Sequence, residues 1–445
     1  MNTRLLFAGI ALTGIVFAPA AGRQTPAFTD ADRDRVLAFW KPDDRYRVAP
    51  ADKQEVRLTV AGSQWLFAYG HIKGSGKLIP TVDAKPGGAP QAWEDWINAK
   101  VAFDRAQAQA GIDGDGDGGS KQTPAPDPGP CPDDLVAQIG EPPKLAEACT
   151  PQTYAIRFDD VTVNYTDHVK VRPRYAYYRF AEGVADGGVA MRNVSPDRLD
   201  HLFRLAGVDV SAANVMKAVS ALEGGFESVN TYDTGFVSVG FIQFASLKAG
   251  AGSLGGMMLH YKNADPTDFD RDFRQYGVDV TTTGTLAVLD PATGHEFQGP
   301  DANAKVIADK RLIAVFGHAG ARSDAFIAAQ IAAAKDQFYP DADSITVTLG
   351  GQPTTVKVAD LFPSEAGMAT LMDRKVNTGK LDPLAAVVQR VADAHSVTAL
   401  VDLVQYEADI IRQLKYRRDY LADATLSQPG GENATTSRHG GHRGS

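Results

Sequence analysis

The sequence predicts an α+β protein in which a small mixed module and a small antiparallel sheet precede a larger, mainly helical domain. Three observations lead there. Apolar residues recur at helical spacing through most of the carboxyl-terminal half, notably in the alanine-rich stretch 301–336 and across 364–423. Shorter runs with period-two alternation, bounded by turn-forming residues, occupy the amino-terminal part. Between them, residues 111–130 shift to Gly, Asp and Pro and lose apolar periodicity, which marks a linker.

In chain order, the first residues carry a charge at Arg4, an apolar run Leu5 to Phe17 and the small-residue pattern Ala18-Pro19-Ala20. This is the pattern of a secretory signal peptide over 1–22, so the mature chain is expected outside the cytoplasm. No later stretch is long and apolar enough to span a bilayer. The α+β module is expected over 23–110. It begins with a helix from Asp30 to Trp40 capped by Thr29, continues with strands Glu55 to Val60 and Trp65 to Ile72, and ends in a helix near Trp93 to Ala110. All four tryptophans, Trp40, Trp65, Trp93 and Trp96, fall in it. Exposed, they would stack on sugars; buried in a small core is the favoured reading, because Trp is usually highly buried.

In the linker, Asp113-Gly114-Asp115-Gly116-Asp117-Gly118 imitates the start of a calcium loop, but its twelfth position is Pro124 where a bidentate Glu is needed, so calcium binding is not expected. Residues 131–185 read as an antiparallel sheet with alternation at Val161, Val163, Tyr165, Val169 and Val171. The chain has two cysteines, Cys131 and Cys149, and an export signal favours pairing them, a bridge worth roughly 3 kcal/mol in the chain-entropy model. Two unpaired thiols are the alternative. The main helical domain is expected over 186–425. Ser195-Pro196-Asp197 starts one helix and Ser211 opens the next, with Val215, Val219 and Leu222 on its apolar face. Hairpins follow at 285–298 and 344–358. The tail 426–445 is polar and expected to be disordered, and its His439 and His442 are expected to be inert.

The 445 residues carry a formal charge of -9, which argues against nucleic acid as a partner because phosphate neutralisation needs a basic face. A polysaccharide remains compatible. The chemistry-bearing stretch runs from Leu222 to Phe244. There a carboxylate, Glu223, ends an amphipathic helix, Gly224 and Gly225 break it, and a β-ribbon pattern returns Asp233 and Ser238 beside it. Glu223 next to the apolar face is expected to be desolvated and therefore protonated, as a general acid requires. Asp233, in a turn-rich polar setting, is expected to stay ionised and orient water, with Ser238 holding that water or a sugar hydroxyl. Read without further context, the favoured reading of the acidic residues is structural, a helix end at Glu223 and an Asx-turn at Asp233, with Ser238 on a solvent face. Glu227 could stand in as second carboxylate, but an exposed loop Glu is the favoured reading, and His260-Tyr261 reads as helix packing.

The order Glu223, Asp233-Thr234, Gly235, Ser238, then Val239-Gly240-Phe241-Ile242 resembles the catalytic helix and hairpin of phage-type lysozymes. That resemblance implies a lysozyme-like fold with a β-hairpin in its cleft, Glu223 as acid, Asp233 as water-positioning carboxylate and Ser238 as the hydroxyl. The spacing around Asp233 departs by about one residue, and Ser238 stands where the family has threonine. Gly240-Phe241-Ile242-Gln243 also resembles the Gly-Leu-Met-Gln block of goose-type lysozymes and lytic transglycosylases, which implies substrate contacts for Gly240 and Gln243; Gly224 stands where that family has serine. Asp233, Gly240 and His260-Tyr261 resemble chitosanases of the same superfamily more distantly. The expected activity is cleavage of β-1,4 bonds in peptidoglycan, as a muramidase or lytic transglycosylase, with hydrolysis favoured and no cofactor or metal required. A chitosanase, or a wall-binding protein that has lost catalysis on the same scaffold, are the rivals.

Overall fold

The structure is a computed structural model that describes residues 25–72, 90–114, 125–221, 223–415 and 417–430. The expected signal peptide lies outside these residues, as do His439 and His442 and most of the calcium-like loop. Among the described residues the fold is mixed α and β, with helices predominating and five small sheets whose strand pairs are all antiparallel. No helix among the described residues is long and apolar enough to cross a membrane.

Two apolar cores organise the chain. The smaller collects Leu58, Trp65, Leu66, Tyr69, Trp93, Trp96, Ile97, Val101, Leu135 and Leu145 from the helices Val60–Ile72, Gln91–Gly114 and Asp133–Ile139 and from the strand pair Glu55–Leu58 with Ala146–Cys149. The larger runs from Phe28 to Leu426 and is built mainly from the helices after residue 195. All four tryptophans are buried, Trp40 in the larger core and the other three in the smaller, so they are packing residues and not a sugar-stacking surface.

The expected boundaries are crossed in several places. The helix Asp30–Trp40, with its Thr29 capping box, packs on the larger core: Trp40 Nε1 donates to the Tyr276 carbonyl at 3.0 Å, and Arg33 reaches the Gly294 carbonyl and Glu296. Strand Tyr46–Pro50 pairs with Gln152–Arg157, which also pairs with Thr162–Thr166. The module expected over 23–110 is thus shared between both cores. Residues 111–114 continue a helix, and Leu426 and Ser427, placed in the tail by composition, are docked: Leu426 is buried and the Ser427 amide donates to Glu365.

Three local expectations are overturned. Trp65 to Ile72 is the end of the helix Val60–Ile72, not a strand. Its buried residues Gly62, Ser63, Trp65, Leu66, Tyr69 and Gly70 follow a three-to-four spacing that aromatic enrichment disguised, and a side chain at Gly62 would meet Thr59 Oγ1 and crowd the Leu145 backbone. The alternation at Val169 and Val171 is a turn, with the Val171 amide donating to the Val169 carbonyl just before Pro173, and no named strand occurs between Thr166 and Ala185. The expected disulfide is absent: Cys131 and Cys149 are both free thiols. Cys149 ends a strand paired with Glu55, and its sulfur lies 3.6 Å from His168 Nδ1; the other ring nitrogen of His168 lies 3.0 Å from Glu55. Burial pushes both thiols up, that of Cys131 to about 11.

Elsewhere the sequence signals hold. Ser195 caps the helix Pro196–Leu205, and Asp209, two residues before the expected Ser211, caps Val210–Ser220. The hairpin of Leu286–Leu289 with Glu296–Gln298 turns through Asp290 to Gly294. The hairpin of Ser344–Leu349 with Gln352–Lys357 turns on Gly350 and Gly351, both with positive φ.

Candidate active site

The helix Val210–Ser220 buries Val215, Val219 and Met216, and at its end the Glu223 amide donates to the Ser220 carbonyl at 2.9 Å. The break that follows requires both glycines. Gly224 has φ +142°, with the Ser228 side chain where a Cβ would sit, and Gly225 lies against the Val189 carbonyl. Glu227 accepts from the Val189 amide at 2.7 Å and so pins this turn to the neighbouring loop.

Glu223 is drawn towards the carboxyl-terminal helices. The helix Glu365–Thr378 packs along Val210–Ser220 and brings in the fully buried Asp373. Arg417 joins the two acids: its Nη2 pairs with Glu223 Oε1 and, at 2.5 Å, with Asp373 Oδ1, which also accepts from Arg417 Nε at 3.0 Å. The second oxygen of Asp373 has no hydrogen-bond partner among the described residues. Burial raises the Glu223 carboxyl above its ordinary range, and the Arg417 charge and hydrogen bond only partly oppose it. The result is a shielded acid that holds its proton to higher pH than a free glutamate, with a cation at hand once it ionises.

Asp233 belongs to a different cluster. Its Oδ1 accepts from the Gly235 amide at 2.9 Å, and its Oδ2 accepts from the Tyr175 hydroxyl at 3.2 Å and Asn230 Nδ2 at 3.4 Å. Burial pushes this carboxyl up as well, against those three donors and the charge of Arg179. The setting is therefore more enclosed than the turn-rich sequence suggested, and it does not favour ionisation. Ser238 is buried on the strand Ser238–Val239 opposite Asn230, and the space over Gly235 is filled by its Oγ and by Asp233 Oδ1. Asp233 and Ser238 are thus brought together. Glu223 and Asp233 share no hydrogen-bond partner among the described residues.

Gly240 and Gln243 form the link between the glycine turn and the β-ribbon. Gly240 has φ +81° and lies against the Gln330 side chain, leaving no room for a Cβ. Gln243, itself at φ +54°, donates to Ser228 Oγ at 2.7 Å and to the Gly240 carbonyl at 3.0 Å. Its amide nitrogen therefore holds the turn after Glu223 in place. His260 is exposed, and Tyr261 is buried against Asp272, so that pair is a packing feature of its helix.

Beside the glycine turn opens a cavity of about 400 Å³, bounded by Ala221, Gly224, Met191, Lys217 and Arg418 among others. Among the described residues no group of three or more His, Cys, Asp or Glu side chains is placed to hold a metal ion. Sequence reasoning missed Arg417, Asp373 and Tyr175. Arg417 lies 194 residues from Glu223, and no local pattern links them. No protein-family model, no curated protein and no solved structure matches this chain.

Proposed function

We propose that the chain is an exported enzyme that cleaves glycosidic bonds of an amino-sugar polysaccharide, peptidoglycan foremost, with Glu223 as the acid. The observation that carries this is the state of Glu223: a partly buried carboxyl, raised by desolvation, in the turn just past a helix and paired with a guanidinium. Glycosidic cleavage needs a proton delivered to the leaving oxygen as positive charge develops on the sugar ring. Glu223 supplies the proton, and Arg417 stabilises the carboxylate left behind. In the hydrolytic form of this reading Asp233 and Ser238, which lie together beside Gly235, hold the attacking water.

A second outcome of the same acid is favoured by the burial of Asp233. If that carboxyl stays protonated it cannot activate water, and a substrate hydroxyl would attack instead, closing an anhydro ring. Digestion of purified peptidoglycan and of soluble chitosan side by side, with mass analysis of products, tests these readings. Fragments from peptidoglycan, lost in Glu223→Gln, support the proposal. Products one water lighter than hydrolytic fragments, together with an active Asp233→Asn protein, select the anhydro route. Turnover of chitosan alone would make the chain a chitosanase. Binding to cell wall without release of fragments by the wild type would leave a non-catalytic wall-binding protein.

A further inference from the structure

We propose that Cys149, His168 and Glu55 form a second reactive centre, in which a thiol with its base and an orienting carboxylate accepts acyl groups from small esters or thioesters. The centre shares no residue with the Glu223 site and does not depend on the glycosidase reading. The strand pair Glu55–Leu58 with Ala146–Cys149 sets it up. Glu55 lies directly opposite Cys149, and Arg57 opposite Glu147, so all four share one face of the ribbon. His168 is carried to that face by Asp167. The Asp167 amide donates to the Gln152 carbonyl at 3.1 Å, and its carboxylate accepts from the Gln152 amide at 2.8 Å and from the Tyr154 hydroxyl at 3.0 Å. Gln152 follows Cys149 by three residues, so a short, doubly bonded frame holds the ring beside the thiol.

Cys149 Sγ lies 3.6 Å from Nδ1 of His168 and Glu55 Oε2 lies 3.0 Å from Nε2, while the His168 side chain is only 4% exposed. An ionised carboxylate only accepts, so Glu55 keeps the ring proton on Nε2 and leaves the Nδ1 lone pair facing the thiol. Because thiol and carboxylate meet different ring nitrogens, the three groups do not converge on one metal ion. Nucleophile, base and orienting group in this sequence are what covalent acyl transfer needs. Burial lowers the His168 pKa and raises that of Cys149, so the resting pair is a neutral imidazole and a neutral thiol that needs its base. Arg57, although paired with Glu147 at 2.8 Å, opposes the rise at Cys149, and its charge favours an anion formed beside the sulfur. As Sγ bonds to the acyl carbon, the S–H proton passes to Nδ1. When the bond to the leaving group breaks, that proton passes to the departing oxygen or sulfur, and the acyl group stays on Cys149 as a thioester.

Cys131 is the internal reference, a half-buried thiol like Cys149 but with no ring nitrogen beside it among the described residues. The test treats the full chain with p-nitrophenyl acetate and follows acetylation of each cysteine by peptide mass mapping. Cys149 should be acetylated at least about tenfold faster than Cys131, and His168→Gln should cut the Cys149 rate about 100-fold while leaving Cys131 unchanged. Glu55 acts through the ring, so its two variants should differ. Glu55→Gln, whose carboxamide oxygen still accepts from Nε2, should keep most of the rate, whereas Glu55→Ala should lose about tenfold or more. That pair decides the matter if His168→Gln does not fold. Equal rates at the two thiols, a Cys149 rate indifferent to His168, or Glu55 variants that behave alike would overturn the proposal. So would a full chain isolated with Cys149 bridged to Cys131.

Discussion

Glu223 and Asp233 are both partly buried carboxyls pushed up by desolvation, yet they are held by opposite means. Glu223 meets a guanidinium that also neutralises Asp373, and that guanidinium comes from the far end of the chain. Asp233 is held mostly by nearby neutral donors: one amide two residues on, one amide side chain three residues back and one tyrosine hydroxyl. Burial raises both; what opposes it comes from the far end of the chain at Glu223, and at Asp233 from Gly235 and Asn230 in its own turn together with Tyr175 and Arg179.

The largest effect expected is on catalysis. Glu223→Gln keeps shape and hydrogen bonding but removes the proton, so cleavage should fall by at least about 100-fold with folding intact. Activity within a few-fold of wild type would remove Glu223 from the chemistry and make its network purely structural.

Next is Arg417→Gln, which leaves Asp373 buried without its cation. Breaking a buried pair from one side costs about 3 kcal/mol or more, to be read from denaturant unfolding. Because Arg417 favours the charged form of Glu223, its removal should also raise that pKa and move the alkaline limb of the pH–rate profile upward. A limb that stays still or moves down would mean that Arg417 does not act on the acid.

A third carboxyl sharpens the contrast between ionic and neutral partners. Glu407 is buried and meets only the hydroxyl and amide of Ser364, and burial raises it to about 7. Since its folded pKa lies above the unfolded one, its contribution to stability is full below about 4.5 and is lost as pH rises through about 7, by about 3 kcal/mol in all. Unfolding of Glu407→Gln should lack this slope between pH 5 and 8. An identical slope in the variant would show that neutral donors suffice to keep a buried acid ionised.

The smallest effect is that of Tyr175→Phe, which deletes one of three donors to Asp233. Loss of a hydrogen bond to a carboxyl should cost about 1.5 kcal/mol and raise the Asp233 pKa further, as carboxyl resonances followed by NMR would report. A lowered pKa would contradict the neutral-donor account.

The sequence was most legible where a residue acts on its own neighbours. Thr29, Ser195 and the paired glycines at 350–351 announce caps and turns; Gly224-Gly225 announces the turn after Glu223, but the helix already ends at Ser220, so Glu223 lies beyond it and does not end it as expected. The chain was least legible where aromatic content imitates strand preference, as in Trp65 to Ile72, or where a partner lies far away in sequence. Asp373 is unremarkable until its helix Glu365–Thr378 packs on Val210–Ser220, and Arg417, in the loop after Glu407–Leu414, until it bridges Asp373 to Glu223. The cysteines erred for a related reason. Export context and pair count favour a bridge, but strand pairing gave Cys149 a histidine neighbour and left Cys131 on another segment.

The docking of the first helix has a temporal side. Trp40, Arg33 and Ala27 find their partners at Tyr276, Gly294 and Glu296, more than 230 residues later. A chain made from its amino terminus therefore carries Asp30–Trp40 undocked until about two thirds of the protein exists, so this helix is expected to be a late closure and not a folding nucleus. A fragment ending before residue 276 leaves Trp40 its contact with Phe158 but removes Tyr276, and removes Gly277 from beside Val36, so hydrogen exchange in Asp30–Trp40 should report whether the later half has folded.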